Sequence, residues 1–130
     1  METINTLLQH KTIRNYKSDP IDQAVLDEIL AAGFRASTTG NMQVYSVIVS
    51  KDVEKRKALC KLHFGQKMVE QAPVLLTFCA DFNRFNKWCR QREAEPGYDN
   101  FLSFFTAAID ALLVAQNVAV AAEAHNLGIC

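Results

Sequence analysis

Residues 99–126 read DNFLSFFTAAIDALLVAQNVAVAAEAHN, and this apolar stretch decides the fold of the chain. It is rich in Ala and Leu, and Gly128 beyond it is a typical helix stop, so the pattern predicts one long helix. At 1.5 Å per residue that helix would be roughly 40 Å long, too long for one side of an ordinary small domain. Because it is apolar on nearly all sides, we expect both the rest of the chain and a partner subunit to cover it.

The same stretch could be mistaken for a membrane span. Asp110 lies near its middle and Gln116 and Asn117 follow, and all three side chains are costly in hydrocarbon. The opening METINTLLQHK lacks the basic region, the long apolar core and the cleavage site of a secretory signal. We therefore expect a buried core helix in a cytoplasmic protein that has no membrane partner.

Composition favours a single domain over residues 1–130. The chain is 49% hydrophobic, so it can bury a substantial core, and its 14 basic and 14 acidic side chains cancel. A dedicated nucleic-acid binder would need excess Lys and Arg against phosphates, so that class is excluded. The four cysteines and three histidines lack metal-ligand spacing, and we predict reduced thiols and no metal site.

Outward from the long helix, helices and strands alternate. Two runs predict strands, at 45–50 and 73–80, and the second is apolar enough to be covered on both faces. Helices are predicted at 3–9, 23–34, 52–62 and 82–93, with a short helix after Gly65 that runs through Gln71. The helix at 52–62 would bury Val53, Leu59 and Leu62. The pattern is α+β, and a βαβ arrangement would place a further strand after Cys130, so the fold looks unfinished.

Three polar segments could carry chemistry. Residues 10–14, HKTIR, offer three potential cations and a hydroxyl for a phosphate, although a solvated basic turn has the same composition. Residues 37–43, STTGNMQ, could present amides and carboxamides to a flat heterocycle, or could be an ordinary polar loop. Residues 65–67, GQK, could contact a ring edge, or could only separate two helices.

Taken in order, four segments resemble the nitroreductase family. HKTIRNYKSDPI at 10–21 resembles the family's opening of basic residues, Ser or Thr, and Arg, and FRASTTGNMQVYSVIVS at 34–50 resembles its polar loop running through Asn-x-Gln into a strand. GQKMVEQAPVLLTFCADFNR at 65–84 resembles the segment before the next buried strand in the flavin reductase branch. AAIDALLVAQNVAVAAEAHNLGIC at 107–130 resembles the long central helix. The resemblance covers nearly the whole chain.

This resemblance implies an α+β homodimer with a central mixed sheet, flanking helices and a long dimer-core helix, and it implies FMN at the subunit interface. It implies an FMN-dependent oxidoreductase that moves electrons from NAD(P)H to nitroaromatic, quinone or related small-molecule acceptors by a ping-pong mechanism. Because the cofactor performs the redox step, no catalytic side chain is nominated. The implied cofactor-binding residues fall into three groups: a phosphate and ribityl group of His10, Lys11, Thr12 and Arg14; an opposite-subunit group of Thr38, Thr39, Asn41 and Gln43; and Gln66 at the ring.

Two departures from the family pattern matter. Lys11 stands where Arg is common, which keeps the charge and loses a bidentate fork. The family chain continues past Cys130 into a strand, a loop beside the flavin and further basic residues, so we expect this shorter chain to bind FMN more weakly. Two alternatives stay open: another flavin reaction on the same scaffold, such as reductive dehalogenation or flavin destruction, and a truncated, non-catalytic helical dimerisation module.

Overall fold

The computed structural model describes residues 2–97 and 100–130, which form an α+β fold. The fold class is as predicted, and the strand predicted at 45–50 has those bounds. A single 3₁₀ turn, Thr39–Asn41, lies between the second helix and the first strand. In chain order the elements are α1 (Glu2–Leu8), α2 (Gln23–Gly33), β1 (Tyr45–Ser50), α3 (Val53–Leu62), α4 (Lys67–Gln71), β2 (Leu75–Ala80), α5 (Phe82–Gln91) and α6 (Phe101–Ala124).

The long helix α6 has 24 residues and is therefore about 36 Å long. A capping box starts it: the Asn100 side chain accepts from the Ser103 N–H at 3.2 Å, and the Ser103 hydroxyl accepts from the Asn100 N–H at 3.4 Å. Asp99, where the sequence predicted the helix to begin, lies outside the described residues. The prediction that Gly128 stops the helix was wrong, because α6 ends at Ala124 and Asn126 takes the left-handed backbone conformation, with φ 58°.

The core forms where α6 packs against α2 and the two strands. Ile29 of α2 and Tyr45 of β1 meet one face of α6, whose buried core residues are Ala111, Val114, Val118 and Ala122. Gly33 brings the α2 backbone close to that face, since a Cβ atom placed on it would lie 2.3 Å from Val118 Cγ2. The predicted core helix is therefore confirmed on this side.

The sheet has two antiparallel strands in the part of the chain described here. β1 and β2 pair from Tyr45 opposite Ala80 to Ser50 opposite Leu75. An isolated parallel bridge joins Thr12 and Ile129. The prediction that β2 is covered on both faces was wrong, because Thr77 and Ala80 are exposed and the other four residues of the strand are only half-buried. The reason is that the main helix packing on this sheet is α6 on one side.

The predicted buried face of α3 was also wrong. Val53 and Leu62 are 50% and 78% exposed and Leu59 is half-buried, whereas Arg56 and Cys60 are buried. The Arg56 guanidinium donates to three backbone carbonyls, those of Lys51, Glu70 and Ala72. Carbonyls at the end of α4 need donors, and a long cation satisfies them better than an aliphatic side chain.

The outer side of α6 is apolar and exposed. By length and composition α6 could cross a membrane, with a mean hydropathy of 1.7 over its most apolar window, of which 33% is buried inside the fold. Asp110, near the middle of the helix, is fully buried and accepts hydrogen bonds, as a core helix allows. Large apolar side chains nevertheless remain exposed along this helix, namely Phe101, Leu102, Phe104, Phe105, Ile109, Leu112 and Leu113.

Candidate functional site

The basic segment 10–14 is attached to the C-terminal end of α6. His10 Nδ1 lies 2.9 and 3.1 Å from the two carboxylate oxygens of Glu123, and the backbone N–H of Lys11 donates to the same carboxylate at 3.2 Å. The contact with His10, and then the Lys11 N–H, hold the pKa of Glu123 below its ordinary value. Glu123 thereby fixes the start of the segment.

The rest of this segment runs beside the end of the chain. Thr12 forms the parallel bridge to Ile129, and the Ile13 N–H donates to the Ile129 carbonyl at 2.8 Å. The side chains of Lys11 and Arg14 are exposed, and within residues 2–97 and 100–130 neither forms an ion pair with a carboxylate. Two unpaired cations and the exposed Thr12 hydroxyl are therefore free to meet an anion such as a phosphate.

The polar loop 38–44 has an unusual backbone. Gly40, Asn41 and Gln43 all lie in the left-handed region, with φ values of 57°, 54° and 52°. Glycine and asparagine tolerate this conformation, whereas glutamine adopts it only where surrounding contacts hold it. The Asn41 side-chain oxygen accepts from the Gln43 amide at 3.2 Å. The side chains of Thr39, Asn41 and Gln43 are exposed, and that of Thr38 is half-buried.

Asp110 and Arg84 hold this loop in place. The Thr39 N–H donates to one oxygen of Asp110 at 3.0 Å, and the Val44 N–H donates to the other at 3.4 Å. The Arg84 guanidinium donates to the Gln43 carbonyl. Sequence reasoning used Asp110 only against a membrane span and missed this role. A carboxylate in the middle of an apolar helix was the available signal, because such a group requires buried donors.

A second carboxylate supports the same region. Asp81 accepts from the Ser46 hydroxyl at 2.5 Å and from the Arg84 N–H at 3.1 Å, and these contacts, Ser46 first, lower the pKa of Asp81. Asp81 therefore caps α5 and fixes the helix that carries Arg84.

Gln66 occupies the N-cap position of α4, but its side chain accepts no capping hydrogen bond and is exposed. Its carbonyl accepts a weak bond from the Cys60 thiol at 3.4 Å. Its neighbour Lys67 lines an open cavity of about 470 Å³, together with Tyr16 and Arg56. Burial raises the pKa of Tyr16.

Within one chain, the basic segment and the polar loop are far apart. Their anchors Glu123 and Asp110 are 123 − 110 = 13 residues apart on α6, which is about 20 Å along the axis and about 220° around it. The two segments therefore contact α6 at different positions along its axis and on different faces. The structure brings His10, Lys11 and Thr12 together and, separately, Thr39, Asn41 and Gln43.

Comparison with known proteins identifies relatives over nearly the whole chain. The family model described as "Nitroreductase family" matches residues 7–130. An "FMN reductase (NADPH)" of Bacillus subtilis is 34% identical over 130 residues, covering 98% of this chain and 52% of its own length. An "Oxygen-insensitive NADPH nitroreductase" of Salmonella typhimurium is 36% identical over 126 residues, with coverages of 97% and 51%. The chain spans about half the length of the curated relatives it matches.

Solved structures of similar proteins have the same fold as the matching part of this chain. A Bacteroides fragilis protein is 52% identical with a TM-score of 0.93, covering 97% of this chain and 51% of the other. The NADPH:FMN oxidoreductase from Vibrio harveyi, complexed with NAD+, is 33% identical with a TM-score of 0.90, with coverages of 98% and 54%. The match of the family model, the shared fold and the identities together show that the chain belongs to the nitroreductase family.

Proposed function

We propose that this chain binds FMN between two copies of itself and takes part in electron transfer from NAD(P)H to a small-molecule acceptor in the cytoplasm. The observation that carries the proposal is a pair of exposed cations, Lys11 and Arg14, on a segment fixed by Glu123; neither cation has an ion-pair partner among the described residues. A flavin phosphate is an anion that such a segment suits. Relatives named FMN reductase and NADPH nitroreductase support the same reaction class.

The residues of the chain fit the parts of FMN. Lys11, Arg14 and the Thr12 hydroxyl would hold the phosphate and ribityl chain, with His10 beside them. The exposed Thr39, Asn41 and Gln43, with the half-buried Thr38, would face the ring system from the other copy, and Gln66 would donate or accept at its edge. When bound, FMN supplies the hydride and electron chemistry, and the protein binds and orients it.

The separation of the two segments supports a site shared between copies. Because their anchors are about 20 Å apart on α6, a flavin ring held by one copy's basic segment needs the loop of another copy. The exposed apolar side of α6 is the surface that a second copy would cover. The proposal includes two further parts. The acceptors are nitroaromatics, quinones or related small molecules, and they are reduced by a ping-pong mechanism.

Replacing Arg14 by Ala is expected to weaken FMN binding by about 10- to 100-fold, because it removes one charge-assisted contact to the phosphate. Equilibrium dialysis of the FMN-supplemented chain, read by flavin absorbance, measures the dissociation constant. The control is Lys61→Ala, which removes an exposed cation from α3 and should leave FMN affinity unchanged.

Equal FMN affinity in the Arg14 and Lys61 variants would contradict the assigned phosphate site. A dimer that binds no FMN at all would instead favour the non-catalytic dimerisation module. Stoichiometric, tight FMN binding by this 130-residue chain would refute the expectation that its short length weakens the site.

Replacing Leu112 by Glu is expected to weaken self-association at least tenfold. Leu112 is 69% exposed on the apolar side of α6, and a charge there must be desolvated when a second copy covers it. Sedimentation velocity over a concentration series measures the effect. Leu62→Glu on α3 is the control, since Leu62 is 78% exposed and lies off this surface. A wild-type chain that stays monomeric, or equal effects of the two variants, would count against the shared site.

A further inference from the structure

The open cavity of about 470 Å³ beside α4 is lined by residues of α3, of α4 and of the segment that follows residue 14. Its volume is within the range of roughly 300–1,000 Å³ that small-molecule sites occupy. Tyr16 and Ser18 line it from the segment, and Arg56, Lys67 and Glu70 line it from the two helices. We call it the Arg56 cavity. Among the described residues, none of those assigned to FMN lines it.

Arg56 is a buried cation without a counter-ion in the part of the chain described here. It is 9% exposed, and no carboxylate of residues 2–97 or 100–130 forms an ion pair with it. Buried arginines are almost always paired, because a charge taken out of water without a partner is costly. The carbonyls of Lys51, Glu70 and Ala72 offset part of that cost through their dipoles, but they do not neutralise the charge.

Part of the Arg56 guanidinium remains free for a ligand. The three carbonyls are contacted by Nε and Nη1, so the two N–H groups on Nη2 have no acceptor among the described residues. In the same residues, Asn86 Oδ1 is the only side-chain nitrogen or oxygen atom that is sealed from solvent without a partner. Nη2 is therefore not sealed, and the space that Arg56 lines is the cavity.

The cavity holds further donors and one opposing charge. Lys67 is exposed and forms no ion pair with a described residue. Burial raises the pKa of Tyr16, so its hydroxyl stays protonated and can donate, as the Ser18 hydroxyl can. The Glu70 carboxylate forms no ion pair with either lining cation. Two cations against one carboxylate leave the lining with a net positive charge.

These donors favour a phosphate over a carboxylate. Arginine binds a carboxylate best through two parallel N–H groups on neighbouring nitrogens, and two of the three nitrogens of Arg56 are already used. A phosphate group has three acceptor oxygens, which suit single donors that come from separate segments. Apart from Pro73, the described lining is polar, so the rest of the ligand should be polar as well.

We propose that the Arg56 cavity binds a small, polar phosphate monoester at a site separate from the proposed flavin site. Arg56 Nη2 and Lys67 pair with the phosphate, and the hydroxyls of Tyr16 and Ser18 donate to its oxygens. The phosphate supplies the counter-ion that Arg56 lacks. The inference does not depend on the proposed function, since it uses neither FMN nor a nicotinamide donor.

The test titrates the full chain, labelled with nitrogen-15 and free of FMN, with glucose 6-phosphate and with glucuronate, a carboxylate of similar size. Amide chemical shifts of Tyr16, Ser18 and Lys67 should change saturably with glucose 6-phosphate, and glucuronate should bind about tenfold more weakly. Lys67→Gln should weaken glucose 6-phosphate binding about tenfold, whereas Lys61→Gln on α3 should leave it unchanged.

Two further variants test the charges of the cavity. Glu70→Gln should tighten glucose 6-phosphate binding, because it removes the opposing charge and keeps the backbone carbonyl that accepts from Arg56. Arg56→Lys should weaken binding about tenfold, because it removes Nη2. The Lys67 and Glu70 variants keep the test valid even if the Arg56 variant does not fold, which circular dichroism checks.

Three results would overturn the inference: no saturable shift, equal affinity for glucuronate and glucose 6-phosphate, or shifts centred on residues 10–14. Arg14→Ala separates the two sites, since it should leave glucose 6-phosphate binding unchanged. A loss of binding in that variant would assign the phosphate to the basic segment and would also overturn the inference. A chain that binds glucose 6-phosphate at the cavity but no FMN would remove the proposed function alone.

Discussion

Replacing Asp110 by Ala is expected to lower the free energy of unfolding by about 4 kcal/mol. Its carboxylate accepts from the backbone N–H groups of Thr39 and Val44, and a hydrogen bond to a charged group contributes about 1.5–3 kcal/mol. Val44 is fully buried, so its N–H would find no water in exchange. A loss of this size is a large fraction of the roughly 5–15 kcal/mol that stabilises a typical domain. Urea denaturation followed by circular dichroism measures it.

Asp27→Ala is the matched control for Asp110. Asp27 is exposed on α2 and, among the described residues, accepts only from the Gln23 side chain, so its loss should change stability by less than about 0.5 kcal/mol. Asp110→Asn should fall between the two, because its amide group keeps one acceptor and turns a donor toward the other N–H. Amide hydrogen exchange at Val44 should accelerate in both Asp110 variants. Unchanged protection there would show that the carboxylate does not hold the loop.

Replacing Gly33 by Ala is expected to lower the free energy of unfolding by about 2 kcal/mol. In a helix, alanine is intrinsically better than glycine by about 1 kcal/mol. Here the added Cβ would lie 2.3 Å from Val118 Cγ2. Val118 is buried and β-branched, so its side chain has little freedom to rotate away. Overpacking costs up to about 3 kcal/mol and therefore outweighs the propensity gain. Thermal or urea unfolding of the variant measures the difference.

The sign of this effect should reverse in a Val118→Ala background. Without the valine methyl groups the new Cβ has room, so the same Gly33→Ala change should be neutral or stabilising by up to about 1 kcal/mol. Gly97→Ala is the control, because its added Cβ would have no neighbour within 4 Å among the described atoms. Equal effects of Gly33→Ala in both backgrounds would show that contact with Val118 is not the cause.

Both predicted losses of stability concern helix α6 and the segments that pack against it. Asp110 fixes the polar loop at the middle of the helix, and Glu123 fixes the basic segment near its end. Val118, between them, sets how closely α2 approaches. A variant that disturbs α6 packing should therefore weaken flavin binding even where it touches no cofactor-binding side chain.

The sequence predicted these elements well where a local signal exists. The strand at 45–50 is β-branched, and Asp22, Asp52 and Asp81 accept hydrogen bonds from the first backbone N–H groups of α2, α3 and α5. The buried face of α3 was predicted wrongly, because Arg56 is buried where its guanidinium donates to the carbonyls of Glu70 and Ala72, which are distant in sequence. Nothing near residue 56 in the sequence indicates those acceptors.

The sequence by itself determined the helices and strands, the family resemblance and the residue types of the candidate site. It did so because hydrophobic periodicity, capping residues and motif order are local properties of the chain. Only the tertiary structure decided which residues hold the site together: Asp110 with the polar loop, Glu123 with the basic segment, and Arg84 with Gln43. These contacts join residues 41 to 113 positions apart, and a buried carboxylate selects its donors by the packing around it.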